Sequence, residues 1–195
     1  MRSVTIRPKS LNTLIRAHPT RFKLLAGALI VIAIAVLLPG KSTGEVPFAE
    51  EIGSLVYRYD RRTVNIASSG LIDISGYGRL SQLGLVSVLD LRVPEEGTED
   101  ERFEVEARGM RYFNVPMGYS VPSEAETAAF ALIVEDDNNL PLLFHGEFTN
   151  RAGAMWAIYR AYRGMAPRQA YEEGRTAGLK GRRAAAVREA LGLVD

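Results

Sequence analysis

Short apolar runs alternate with segments of helical length in this chain, and that alternation constrains the fold more than any other feature. Residues 86–91, 112–115 and 141–144 each have the length and composition of a buried strand. Strands that are separated by helices form a mostly parallel sheet with helices on both faces. The sequence therefore predicts a three-layer α/β domain.

The remaining elements are predicted from capping residues and apolar periodicity. Leu55–Tyr59 alternates apolar and basic residues, as a first strand would, and residues 60–76 receive no assignment. Ser123 with Glu126 three positions later has the pattern of a capping box. Helices are predicted over residues 78–83, 94–109, 123–136, 150–163, 167–178 and 182–191.

An apolar run of fifteen residues, 24–38, precedes the domain and is closed by Pro39 and Gly40. A helix of this length spans roughly 22 Å, somewhat less than the roughly 30 Å hydrocarbon core of a bilayer. We predict a basic tail over residues 1–23, a transmembrane anchor over 24–40, a polar linker over 41–53 and the α/β domain over 54–195. A cleaved signal peptide and a buried core helix are the alternatives.

The charge distribution predicts the orientation of that anchor. Residues 1–40 contain Lys and Arg but no acidic residue. Such a tail stays on the cytoplasmic side, so the domain would face outward, into the periplasm if the cell is Gram-negative. If the segment were cleaved as a signal, the domain would be secreted. A basic tail beside an apolar run indicates a membrane partner through residues 24–38 rather than nucleic acid.

The chain contains no cysteine, which excludes disulfides, thiolate metal sites and thiol catalysis. Its two histidines, His18 and His145, lie far apart in sequence. This residue set does not favour a metal site, and we expect neither a metal nor a cofactor.

Residues 141–163 combine a predicted strand, a short polar loop and a predicted helix. Ligands of parallel sheets bind at the carboxyl ends of strands, where the next helix presents free N–H groups. Arg151, in the first turn of that helix, adds a guanidinium suited to phosphate. The pattern predicts an anion site formed by the loop backbone and Arg151.

Residues 144–179 resemble the cysteine-dependent tyrosine and dual-specificity phosphatases, above all the compact bacterial members whose loop reads His-Cys, four residues, Arg. Residues 84–92 and 109–117 support the resemblance, which covers about 55–192. It implies a phosphatase-like fold and places Gly146 at the nucleophile position, with His145 before it. The phosphate-binding residues it implies are Gly146, Glu147, Phe148, Thr149, Asn150 and Arg151.

The departures from the family pattern imply a pseudophosphatase. Gly146 supplies no thiolate, so the usual covalent intermediate cannot form. Glu147 and Phe148 place a charge and a bulky ring in a loop that should hold a dianion, and Thr149 stands where the family has glycine. No general-acid aspartate is evident. The expected partner is a phosphate-bearing ligand or phosphoprotein that is bound without ordinary turnover.

Two alternatives remain open. The chain could be an active phosphatase or phosphotransferase with a non-cysteine nucleophile, either His145 or Glu147. It could instead be an interaction domain without a ligand, with Phe148 filling the pocket. A structural, hydrogen-bonding role is the competing interpretation for His145, and a structural ion pair is the simple interpretation for Asp90 and Arg92.

Overall fold

The computed structural model describes residues 44–118 and 120–193. The predicted basic tail and transmembrane anchor, residues 1–40, lie outside the described residues. No helix within the described part of the chain is long and apolar enough to cross a membrane.

Five strands form one central sheet: β1 (Asp60–Arg61), β2 (Ile66–Ser69), β3 (Ser87–Asp90), β4 (Arg111–Asn114) and β5 (Leu142–His145). Their order across the sheet is β1-β2-β5-β3-β4. Only β1 runs antiparallel to its neighbour among these strands, while β2, β5, β3 and β4 are parallel. The predicted mostly parallel sheet is confirmed.

Seven helices surround the sheet within the described residues: α1 (Ala49–Ile52), α2 (Gly76–Gln82), α3 (Thr98–Glu106), α4 (Glu124–Val134), α5 (Thr149–Tyr162), α6 (Pro167–Thr176) and α7 (Gly181–Ala190). Ser123 caps α4 through Glu126, so the predicted capping box is confirmed. The helices predicted from residue 78 onward are all present, with bounds shifted by a few residues.

Alternate residues of the strands enter two separate apolar cores, as the pleat of a strand requires. Leu142 and Phe144 pack with α4, α5 and α7 on one face, whereas Leu143 packs with residues of α1, α2 and α3 on the other. The first core centres on stacked and edge-on aromatic rings, including Trp156 and Tyr159 of α5. The predicted three-layer α/β domain, with helices on both faces of the sheet, is confirmed.

The prediction of a first strand over 55–59 is wrong. Residues 53–55 form a short 3₁₀ turn, and Val56 makes only an isolated bridge with Ile72. The first two strands, β1 and β2, lie instead within the unassigned stretch 60–76. β2 was hidden by its composition, because its two buried serines do not have the apolar signature of a buried strand.

Helices α5 and α6 approach each other through glycine. A β-carbon on Gly153 would lie 2.5 Å from the backbone nitrogen of Leu179 and 2.6 Å from the carbonyl oxygen of Gly174. No real side chain fits at that separation unless a backbone moves. This contact places the start of α5, which carries Arg151, against the turn that follows α6.

Candidate functional site

The candidate site lies at the carboxyl edge of the sheet. Ser69, His145, Asp90 and Asn114 end four neighbouring strands in matching register. Residues 146–148 lead from β5 directly into α5. This is the edge at which parallel sheets bind their ligands, and the predicted residues His145 and Arg151 both lie there.

Beneath the loop lies a group of four charged side chains that we call the buried ion cluster: Asp90, Arg92, Glu101 and His145. Arg92 donates to Asp90 through Nε (3.1 Å to each oxygen) and Nη2 (2.8 Å), and it also contacts Glu101. The His145 Nε2 atom lies 2.7 Å from Glu101 Oε1. The predicted Asp90–Arg92 ion pair is therefore confirmed as one part of a larger group.

The contact between His145 and Glu101 is an ion pair rather than an aligned hydrogen bond. Among the described residues, neither ring nitrogen of His145 has a partner in hydrogen-bonding geometry. The Tyr112 hydroxyl donates to Asp90 at 3.0 Å and completes the polar surroundings. A protonated His145 balances the charge of this group, because two carboxylates then face two cations.

Burial alone would lower the pKa of His145, but the nearby Glu101 and Asp90 carboxylates outweigh burial and raise that pKa above its ordinary value. The opposite holds for Asp90, where burial would raise the pKa and His145 and Arg92 together lower it. The raised pKa of His145 and the lowered pKa of Asp90 both favour the charged forms, so attraction between opposite charges stabilises the buried ion cluster.

Asp90, Glu101 and His145 also have the ligand types of a metal site, with one ligand atom of each within 4.8 Å of the others. The Arg92 guanidinium, however, lies against both carboxylates. A divalent cation would have to displace that guanidinium or share the space beside it, at a large electrostatic cost. We interpret the group as an internal ion cluster.

Arg151 is buried, with 7% of its surface exposed, and it contacts the segment after β3. Its Nη1 atom donates to the Leu91 carbonyl at 3.2 Å and to Glu96 Oε2 at 2.8 Å, and Nη2 donates to Glu96 Oε1 at 3.2 Å. Burial would raise the pKa of Glu96, but Arg151 and the Val93 N–H outweigh it and lower that pKa. Glu96 is therefore a carboxylate that orients the guanidinium.

One edge of the Arg151 guanidinium remains available. A guanidinium has five N–H donors, and the three contacts to Leu91 and Glu96 occupy its Nη1–Nη2 end. Its Nε atom donates to no acceptor in the described chain, and Nη2 has a second N–H beside it. Together Nε and Nη2 form a second pair of parallel donors, which can bind two oxygens of one planar or tetrahedral anion.

The loop residues differ sharply in exposure. Gly146 and Thr149 are buried, Asn150 is partly exposed, and Glu147 and Phe148 are exposed. The expectation of Phe148 as a bulky ring inside the loop, filling a pocket, is corrected, because 59% of its surface is exposed. Phe148 is also the N-cap of α5 and has no side-chain oxygen, so it leaves the first N–H groups of that helix uncapped.

The sequence analysis predicted a helix over 94–109 but did not identify Glu96 and Glu101 in that segment as neighbours of the site. Glu101 is buried and lies on the same face of α3 as Val105, four residues on. An acidic residue on the apolar face of a helix is the signal that could have identified it. Glu96 offers no comparable signal, since its partner Arg151 is 55 residues away.

No family model matches the sequence, and no curated protein matches it. Solved structures do. A candidate phosphatase (DUF442) from Shewanella putrefaciens matches with a TM-score of 0.61 and 20% identity, over 74% of this chain and 97% of that one. The catalytic core of the PP-IP phosphatase SIW14 from S. cerevisiae, in complex with citrate, gives 0.59 and 21%, over 72% and 87%.

A third match is Tk-PTP in its active form, with a TM-score of 0.58 and 19% identity over 68% of this chain and 95% of that one. These similarities establish the fold. The described domain has the same fold as these three phosphatase structures, and it covers 87–97% of each matched chain.

Proposed function

We propose that this chain is a membrane-anchored, phosphatase-like protein that binds a phosphate-type anion at residues 145–151 and does not hydrolyse it by the thiol route. The observation that carries the proposal is the buried Arg151 guanidinium, which Glu96 orients and whose Nε and second Nη2 N–H have no acceptor among the described residues. Arg151 lies in the first turn of α5, directly after the loop in which the resemblance puts Gly146 at the position of the nucleophile. A bound anion would accept from Arg151 and from the first N–H groups of α5.

The first test is the affinity of the full chain for orthophosphate, measured by calorimetry. Arg151→Lys keeps the positive charge but loses the pair of parallel donors, so we expect about a tenfold weaker affinity. Arg163→Lys, at the exposed end of the same helix, is the matched control and should bind orthophosphate as the wild type does. Equal affinities for wild type and Arg151→Lys would contradict the proposed site.

The second test restores the missing thiol with Gly146→Cys. A β-carbon at position 146 would meet Arg151 Cβ at 3.2 Å and the Phe148 carbonyl at 3.3 Å, so the loop backbone and the start of α5 must shift slightly to admit it. With an aryl phosphate, the thiolate would form a sulfur–phosphorus bond while the phosphorus–oxygen bond to the aryl oxide breaks. That leaving group needs no general acid, so about one aryl oxide should be released per protein in a first burst.

The wild type should show no turnover above buffer in the same assay. Wild-type turnover that disappears in Arg151→Lys would instead favour an active enzyme with a non-cysteine nucleophile. Trapping the phosphoryl group would then identify the residue. Complete burial of His145 argues against that histidine as the nucleophile, whereas Glu147 is exposed.

The membrane anchor is a separate part of the proposal and is supported by the apolar run 24–38 and the cations before it. We expect the full chain to stay with membranes after an alkaline wash and a variant lacking residues 24–38 to be released. Release of both would contradict the anchor, and cleavage of the full chain near residue 40 in cells would favour the secreted alternative.

A further inference from the structure

An open cavity of about 860 Å³ borders the start of α5 and the start of α7. Its lining residues are Asn150, Lys180, Gly181, Arg182, Arg183 and Ala186. Three of the six are cations and none is acidic. We call this feature the basic cavity.

The basic cavity is joined to the candidate loop through Asn150. The Asn150 side chain accepts a hydrogen bond from the Lys180 backbone N–H at 2.9 Å. Gly178, two residues before Lys180, lies against the Thr149 side chain with φ of 104°, and a β-carbon there would collide with the threonine. The segment 178–180 is therefore held against the first turn of α5, and Asn150, which lines the cavity, is next to Arg151 in sequence.

Arg183 joins the cavity to the loop that follows β4. Its Nη2 atom donates to the Gly118 carbonyl at 3.2 Å, and Nη1 donates to the Ser120 carbonyl at 3.4 Å. These two carbonyls hold the guanidinium at the wall of the cavity. Lys180 and Arg182 are exposed, and neither side chain forms an ion pair within the described part of the chain.

A second cavity provides a comparison, because it also has a cation in its lining. That cavity, of about 510 Å³, is lined by Arg168, but also by Glu172 and Glu173. Its charges are of both signs, whereas the residues named as lining the basic cavity include no acidic residue, and Lys180 and Arg182 form no ion pair among the described residues. Residues 41–195 contain 23 acidic and 18 basic residues, so the basic cavity is a locally positive region of a part of the chain with net negative charge.

We propose that the basic cavity is a second anion-binding site, and that the ligand of this protein carries at least two phosphate-type groups, one at each site. The second half of this statement rests on the proposed function of the loop, whereas the cavity as an anion site rests on its own residues. Adjacent sites joined by one ligand bind more tightly than either alone, because the second contact is intramolecular.

The test compares orthophosphate with inorganic tripolyphosphate on the full chain, by calorimetry at constant ionic strength. The double variant Lys180→Gln/Arg182→Gln removes two charges of the basic cavity. The control, Arg168→Gln/Arg175→Gln, removes two exposed charges of α6. We expect wild type to bind tripolyphosphate about tenfold more tightly than orthophosphate. The cavity variant should lose about that factor for tripolyphosphate, and the control less than about twofold.

The proposal would be overturned if the cavity variant bound tripolyphosphate as tightly as the wild type, or if the control lost the same affinity. It would also be overturned if the wild type did not bind tripolyphosphate. The loop is tested separately by Arg151→Lys with orthophosphate. If orthophosphate does not bind but the cavity variant still loses tripolyphosphate affinity, the cavity stands as an anion site and the loop does not. If orthophosphate binds at the loop but the cavity variant keeps its affinity for tripolyphosphate, the loop stands as an anion site and the cavity does not.

Discussion

Replacing His145 with glutamine should lower the free energy of unfolding by about 3–5 kcal/mol, the usual cost of removing one partner from a buried ion pair. His145 is fully buried, and its imidazolium is one of two cations that face Asp90 and Glu101. Without it, Arg92 alone would balance two buried carboxylates. Urea unfolding of wild type and variant at pH 6 measures the difference.

The same residue should make stability depend on pH. Because the folded pKa of His145 is raised above its unfolded value of about 6.5, the folded state binds the extra proton between those two values. The contribution is complete below about pH 6.5 and is lost as pH rises through the folded pKa. Tyr77 and Tyr112 stay protonated there, because burial and the nearby carboxylates raise the pKa of both hydroxyls.

Glu101→Gln provides the matched comparison for His145→Gln. It removes the carboxylate nearest the imidazole, so His145 should become neutral and the alkaline loss of stability should become small. In the double variant His145→Gln/Glu101→Gln, the remaining charges of Asp90 and Arg92 balance each other. The loss of stability in the double variant should therefore be smaller than the sum of the losses in the two single variants. Additive losses and an unchanged pH profile would show that His145 carries no proton in the folded protein.

Gly153→Ala should lower the free energy of unfolding by about 3 kcal/mol and also weaken orthophosphate binding. The added methyl group would face the backbone of Leu179 at 2.5 Å, so α6 or the turn after it must move, and overpacking of this kind typically costs about 1–3 kcal/mol or more. Since Gly153 lies two residues after Arg151, the shift would reach the anion site. Unfolding curves and calorimetry test the two effects.

Gly78→Ala is the control for that substitution. Gly78 is also helical, in α2, but the nearest atom to an added β-carbon is Arg108 Nε at 3.7 Å, an ordinary contact. Alanine should therefore raise stability there by about 0.5–1 kcal/mol through its better helix propensity. If both variants changed stability in the same direction, helix propensity rather than close packing would control position 153.

Local patterns were enough to predict most of the elements. The run 86–91 and the Ser123–Glu126 box define their structures within a few neighbouring residues, and the structure has both. β2 could not be predicted in this way. Ser68 and Ser69 are polar, and they are buried because β2 lies between β1 and β5 in the folded sheet. The short β1 likewise depends on pairing with β2.

The site shows a similar division. The strand–loop–helix pattern correctly indicated that His145 and Arg151 lie at the carboxyl edge of the sheet. The pattern could not identify the partners of these two residues. Glu96 contacts Arg151 from 55 residues away in the sequence, and Glu101 contacts His145 from 44 residues away. Such contacts depend on the packing of the β3–α3 segment beside β5, which no local pattern encodes. The exposure of Phe148 could not be predicted either, because it depends on this residue being the N-cap of α5.

The order of the strands also determines when the protein can assemble. β5 is the last strand along the chain, yet it lies between β2 and β3 at the centre of the sheet. Without β5, the remaining pairings of the sheet are β1 with β2 and β3 with β4, and no pairing connects these two halves. Addition of β5 joins them and, in the same event, delivers His145 and the loop to the carboxyl edge. The first core and the anion site both also require α5, which follows β5, so neither can be complete until the chain beyond β5 has been synthesised.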